Sequence, residues 1–323
     1  MKLAVSIGCP SGIGPEVSVV AAAKVSARVL LVGDAEVVLR AAKARGVRAR
    51  IDVVDEPTFV RGAIAVWQPT ETLAERDRVL GRPSRAGGAA QFAWIDAACD
   101  LVSSGRADAL VTGPVSKDAI ASSGAPGARQ FLGHTEHLQR RLRSREVVMA
   151  FASESLVTAL VSTHIPISAV PRAVTAQSVA TATFWLADFL AKTKKRPRVA
   201  VAALNPHAGE NGRIGRDETR IAAGIARAKK RVAGRAEIFG PVPAETAFRL
   251  ASRGEWDGVV AMYHDQATIP MKLLGFGEAV NVTLGLPIVR TSVDHGTAYD
   301  RAARFDADPR GMLAAMKLAA RLV

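Results

Sequence analysis

The apolar run Val259-Val260-Ala261-Met262-Tyr263 stops at His264 and Asp265, and that change restricts the fold more than any other feature of the chain. An open α/β sheet places its chemistry in the crevice at the carboxyl ends of its strands. Two further runs end in the same way. Leu156 to Thr163 leads into His164, and Val199 to Leu204 passes through Asn205-Pro206 into His207. Three of the six histidines therefore follow separate apolar runs, and neutral imidazole is the commonest protein ligand for a divalent metal. One histidine at a strand end is more often a hydrogen-bonded structural residue; the repetition favours a metal site made of His164, His207 and His264. Their wide spacing excludes a local HExxH or CxxC cluster, so the fold, or the meeting of two chains, has to bring them together.

Strand-like and helix-like segments alternate along the sequence, which predicts an α/β protein with a mainly parallel sheet. A length of 323 residues favours two lobes. Lysine and arginine outnumber acids by 43 to 30, giving a net charge of +13, so an anionic partner has to be considered. The excess is spread over helical faces such as Arg140-Arg141-Leu142-Arg143 and Lys229-Lys230-Arg231. Aromatic residues make up only 5%, and no zinc-finger spacing, basic tail or RNA-binding signature accompanies the charge. A phosphorylated small-molecule substrate fits better than nucleic acid. Cys9 and Cys99 cannot build a disulfide framework and suit a reducing compartment. No signal-peptide pattern or bilayer-length apolar stretch is present, so a cytoplasmic protein with no membrane partner is expected.

Several turns carry candidate contacts. Gly8-Cys9-Pro10-Ser11-Gly12-Ile13-Gly14-Pro15-Glu16 follows the first strand-like run and is neither G-x-G-x-x-G nor a P-loop. It reads equally as an anion site at a helix start or as a tight structural turn. Lys117 follows the run Ala109 to Thr112, where it either meets an anion or is simply solvated. Gly133-His134-Thr135-Glu136 crowds polar groups at a helix start, which is a ligand contact or a plain cap. Asn205 to Gly212 is too rich in turn formers for a helix or strand interior. Lys272 and Arg290 follow or end apolar runs and are candidates for an anionic substrate group.

Together these stretches resemble the 4-hydroxythreonine-4-phosphate dehydrogenase family of vitamin B6 (pyridoxine) biosynthesis nearly end to end. The resemblance is carried by Gly133-His134-Thr135-Glu136, Thr163-His164-Ile165-Pro166, Leu204-Asn205-Pro206-His207-Ala208-Gly209-Glu210, Met262-Tyr263-His264-Asp265-Gln266, and Asn281 through Ala298. It implies an isocitrate/isopropylmalate-dehydrogenase-like fold with two α/β/α lobes flanking a cleft, the first from 1–125 plus about 285–323 and the second from 126–284. It also implies a homodimer with the active site near the interface, and a zinc, magnesium or cobalt ion held by His164, His207 and His264. Substrate contacts would fall to His134, Thr135, Lys272, Asn281 and Arg290. The loop Asp294-His295-Gly296-Thr297 would embrace the adenosine of NAD or NADP. The metal would acidify the substrate's C3 hydroxyl for hydride transfer and then support decarboxylation of the β-keto acid. Lys272 and Asp265 are the catalytic candidates, Asp265 either orienting His264 or relaying a proton, with a structural hydrogen bond as the alternative.

The chain departs from the usual family pattern at Cys9, where an acidic residue is common, and at Ser11, Glu245, Ala267 and the run Ala298 to Ala303. No proposed metal ligand is lost, but substrate and cofactor preference are left open. Relatives that oxidise four-carbon sugar-acid phosphates or a terephthalate-derived cis-diol are the nearest rival. A phosphate acyltransferase, which shares a related two-lobed fold, and a non-enzymatic nucleic-acid binder are rivals of other classes.

Overall fold

A parallel strand covered on both faces is apolar along its whole length, and Leu3, Ala4 and Val5 of β1 (Lys2–Ser6) are fully buried. The structure is a computed structural model describing residues 1–275 and 277–323. Its chain separates into two units, Met1–Ser144 with Leu286–Val323, and Arg145–Gly285. After β1 the first unit continues through α1 (Gly14–Ala22), β2 (Arg28–Val32), α2 (Ala35–Ala44), β3 (Ile51–Val54), β4 (Ile64–Trp67), α3 (Arg85–Ser103), β5 (Ala109–Thr112), α4 (Lys117–Ser122) and α5 (His134–Arg141). The second unit comprises β6 (Val148–Ala152), β7 (Val157–Leu160), α6 (Val170–Ala173), α7 (Ala176–Ala191), β8 (Arg198–Ala202), α8 (Glu218–Val232), β9 (Glu237–Val242), α9 (Ala244–Ser252), β10 (Gly258–Ala261), α10 (His264–Gly275) and β11 (Val280–Leu284). The chain then returns to the first unit as β12 (Val289–Val293) and α11 (Arg310–Arg321).

In the first unit the strand order is β3-β4-β2-β1-β5-β12, with every neighbouring pair parallel. Gly8, at φ 79°, turns the chain out of β1; a Cβ there would stand 2.3 Å from the carbonyl oxygen of Pro114. Gly88 lets α3 approach α4, since a Cβ would lie 2.0 Å from the carbonyl oxygen of Ala119. Residues 126–144, which the sequence assigns to the second lobe, belong to the first unit. The reason is side-chain chemistry. His137 on α5 bonds Asp96 on α3 at 2.6 Å, Arg141 grips both oxygens of Asp100 at 2.6 and 2.7 Å, and Leu138 between them is fully buried.

The second unit orders its strands β11-β6-β7-β10-β8-β9. Here the mainly parallel expectation is met from β7 to β9, whereas β6 runs antiparallel to both β7 and β11. A parallel crossover needs a dozen or so residues, and only residues 153–156 separate β6 from β7. Ser153 closes that hairpin, its backbone N–H donating to Leu156 O at 2.9 Å and its Oγ accepting from Leu156 N at 3.1 Å. Beneath the sheet a core of Phe151, Leu160, Val259, Phe248 and Met271 joins β6, β7, β10, α9 and α10.

Candidate active site

Buried β10 lies between β7 and β8, and its carboxyl end runs through Met262 and Tyr263 into α10, whose first residue is His264. Gln266 braces that corner, accepting from Met262 N at 2.6 Å and donating to Ala203 O at 2.9 Å. Ser162 Oγ adds a third strand end by donating to Met262 O at 2.7 Å. These bonds fix where His264 starts. Its Nδ1 lies 2.7 Å from Asp265 Oδ1; a carboxylate only accepts, so Nδ1 is the donor in this contact and Nε2 is the ring nitrogen left for another partner. The His164 ring, beyond β7, is 5.3 Å from that of His264. Two nitrogen donors of the kind that suit a borderline divalent metal therefore stand side by side.

His207 is presented differently. Five successive residues, His207 to Asn211, have φ between 45° and 76°. Four of them carry a Cβ, and each such residue in the left-handed region costs about 1–2 kcal/mol. Asn205 holds the base of this turn, its backbone N–H donating to Glu218 Oε1 at 2.8 Å and its amide to Asp217 and Glu218, both at 3.0 Å. The turn opens on a hollow of about 640 Å³ lined by His207, Glu210, Asn211, Pro241 and Pro243. Among the described residues no three His, Cys, Asp or Glu side chains gather closely enough to hold an ion. One chain thus pairs His164 with His264 and leaves His207 apart, because the left-handed turn carries its ring toward the β9–α9 connection.

In the first unit, Arg290 of β12 is 3% exposed, and its Nη2 donates to Thr112 Oγ1 at 2.6 Å. Burial pushes the guanidinium down to about 10, against the attraction of Glu136. His134 opens α5 behind Gly133, which supplies no side-chain cap. Thr135 lies inside the first turn rather than at the cap position, and Glu136 sits in that turn as both readings of Gly133-His134-Thr135-Glu136 expect. His134 Nε2 is shut off from solvent and has no hydrogen-bond partner among the described residues. Burial first, then the charges of Arg290, His137 and Lys117, hold this imidazole well below the usual histidine range, so it is neutral near pH 7.

The glycine turn and the Asp294–Thr297 loop form one feature. Ile13 N donates to Thr297 O at 3.0 Å, and Cys9 Sγ lies 3.4 Å from the Tyr299 hydroxyl. Burial raises the Cys9 thiol and pushes the Tyr299 phenol up to about 12, so both stay protonated. The acidic residue common at position 9 is thus replaced by a neutral pair. His295 is exposed, with Nδ1 3.0 Å from Gly296 O. In the second unit Lys272 is exposed on α10, and Asn281 of β11 stands opposite Phe151 of β6. Sequence reasoning missed Gln266, Ser162 and Thr112. Thr112 ends β5, Ser162 follows β7 and Gln266 lies in the first turn of α10, but a hydroxyl or amide there carries no signal until its partner strand is known.

The fold is α/β in both units, and the dehydrogenase class follows from the relatives that share it. The family model described as pyridoxal phosphate biosynthetic protein PdxA matches residues 25–319. The 4-hydroxythreonine-4-phosphate dehydrogenase of Geobacter metallireducens is 38% identical over 329 residues, covering 99% of this chain and 95% of that protein. A solved enzyme of the same name from Klebsiella pneumoniae has a TM-score of 0.85 at 35% identity, with 99% of both chains covered. A terephthalate 1,2-cis-dihydrodiol dehydrogenase from Burkholderia xenovorans superposes at TM-score 0.70 with 30% identity, covering 99% of this chain and 98% of that one. The chain belongs to the PdxA family of pyridoxal phosphate biosynthesis.

Proposed function

We propose that this protein is a metal-dependent NAD(P) oxidoreductase that oxidises 4-hydroxythreonine 4-phosphate at C3. The β-keto acid formed loses carbon dioxide to give 3-amino-2-oxopropyl phosphate, a step toward pyridoxine 5'-phosphate. The observation that carries this reading is the His164–His264 pair, with Asp265 on His264 Nδ1. His164 and His264 would hold zinc, magnesium or cobalt together with His207 of a second copy, the two chains forming a homodimer. Exposed apolar side chains support that assembly: Ile165 and Ile167 follow His164, and Ile269, Leu273 and Leu274 stud the helix that begins at His264. Leu273 is 81% exposed, a cost that burial against a second chain removes.

When bound, the metal supplies Lewis acidity toward a substrate hydroxyl and toward the enolate left by decarboxylation. The chain's own groups do the rest. Asp265 keeps the His264 ring in one tautomer and one orientation. Arg290, held by Thr112, provides a fixed positive charge for the phosphate, and Thr135 and His134 add polar contacts on the first turn of α5. Lys272 and Asn281 are assigned to the remaining polar groups of the substrate, with Lys272 and Asp265 as the groups able to carry a proton. Asp294 to Thr297, pinned by Ile13, would receive the adenosine of NAD or NADP. Among the described residues no helix is long and apolar enough to cross a membrane, and two free buried cysteines suit the cytoplasm.

A second reading keeps this chemistry with a sugar-acid phosphate or a cis-diol, and the 30% identity to the terephthalate diol enzyme favours testing it. Purified protein should reduce NAD or NADP with 4-hydroxythreonine 4-phosphate in a reaction that a chelator stops and added metal restores. Failure with that substrate, alongside turnover of a diol or sugar-acid phosphate, would transfer the assignment to the second reading.

A further inference from the structure

Lys117 is the first residue of α4, beyond Ser116, whose side chain caps that helix. It comes immediately after the turn that follows β5, the strand that places Thr112 against Arg290. Its ammonium reaches the start of α5: a Cβ built on Gly133 would stand 3.7 Å from Lys117 Nζ and 2.9 Å from Glu136 Oε2. The same first turn bears His134, whose Nε2 is enclosed and lacks a hydrogen-bond partner among the described residues, and it has no side-chain cap. Three sources of positive potential thus converge on one small volume of the first unit. They are the buried guanidinium of Arg290, the ammonium of Lys117, and the backbone N–H groups at the amino end of α5. Among the described residues Glu136 supplies a carboxylate here, and it acts on Arg290.

A solvated lysine has no need of this setting. Lys117 and Arg290 both act on the His134 ring, and the carboxylate of Glu136 is shared between them, so an entering anion would add to the attraction on both cations. An imidazole nitrogen sealed without a partner costs about 1–3 kcal/mol, which a ligand oxygen or hydroxyl can relieve. Because it is buried and its neighbours are cationic, His134 stays neutral, so it can donate or accept a hydrogen bond without adding positive charge.

We propose that Lys117 is a further anion-binding residue, closing with Arg290, His134 and the first turn of α5 around a phosphate monoester. The assignment rests on the functional reading above for the identity of that monoester, the substrate's 4-phosphate. The same chemistry could come from the pyrophosphate of the nicotinamide cofactor, and the test separates the two. Lys117 is exposed, so Lys117→Met should fold normally.

The experiment compares wild type, Lys117→Met and Lys117→Arg in the full-length protein. Inorganic phosphate binding is followed by calorimetry, NAD and NADP binding by fluorescence, and KM and kcat with 4-hydroxythreonine 4-phosphate. Lys117→Met should weaken phosphate about tenfold and raise the substrate KM by a similar factor, with kcat within threefold and cofactor affinity unchanged. Lys117→Arg should restore phosphate affinity to within threefold, which a merely structural lysine would not show. Phosphate affinity and KM within twofold of wild type in Lys117→Met would overturn the proposal, as would a loss confined to NAD or NADP. Should Lys117→Met lose phosphate binding in a protein that does not turn over the phosphorylated substrate at all, the anion site stands and the substrate assignment falls.

Discussion

The two units carry their functional groups in opposite states of readiness. In the first, Arg290 is buried and already hydrogen-bonded to Thr112, and the uncapped start of α5 faces His134 inward. In the second, His164 and His264 lie in contact, His207 is held apart on a left-handed turn, and the helix that begins at His264 exposes Ile269 and Leu273. Binding an anion needs only a fixed field, which one folded unit can supply in advance. Under the proposed function, the metal site would need a third donor beside the His164–His264 pair, supplied by His207 of a second copy.

The strongest way to break this contrast is at the histidines. His207→Ala should abolish metal-dependent turnover, by about 10³-fold or more, while circular dichroism shows an intact fold. Activity that survives in metal-free buffer would remove the metal from the mechanism. Next in size is the anion end. Arg290→Met should raise KM for the phosphorylated substrate by about 100-fold with a smaller change in kcat, an effect of roughly 2–3 kcal/mol expected for a charge-assisted contact. An unchanged KM would show that the first unit is not the phosphate side.

Assembly can be tested separately. Leu273→Asp should shift the protein from dimer to monomer in sedimentation and reduce turnover about tenfold or more at low protein concentration. A variant that stays dimeric would move the interface elsewhere.

The pH dependence should report on the enclosed imidazole of the first unit. His134 has a folded pKa depressed below its unfolded value near 6.5, so the unfolded chain takes up a proton there that the folded one refuses. Its contribution is therefore complete above about pH 6.5 and is lost as pH falls toward the folded value, at up to ~1.4 kcal/mol per pH unit. His134→Gln should flatten that slope in urea denaturation between pH 7 and about pH 5; an identical slope in the variant would mean the ring is not kept neutral. The smallest effect belongs to the left-handed turn of the second unit. Ala208→Gly should stabilise the protein by about 0.5–1 kcal/mol in thermal unfolding, since glycine accepts the φ of 53° without steric cost.

Much of this contrast could be read before folding was considered. Apolar runs ending at His164, His207 and His264 marked the strand ends, and β7, β8 and β10 end near those positions. The reading went astray where a distant partner decides. Residues 126–144 joined the first unit because Asp96 and Asp100 of α3 take His137 and Arg141. The antiparallel course of β6 follows from a hairpin too short for a crossover, although the same apolar run would serve either direction.

What the sequence determined by itself is the set of elements and the chemical types at their ends, because strand and helix periodicity and turn chemistry are local properties. Only the tertiary structure decided that Arg290 meets Thr112, that His134 is enclosed among cations, and that His207 stands away from its fellow histidines. Burial, field and metal geometry are properties of neighbours in space, and residues as far apart as 112 and 290 become neighbours only when β5 pairs with β12.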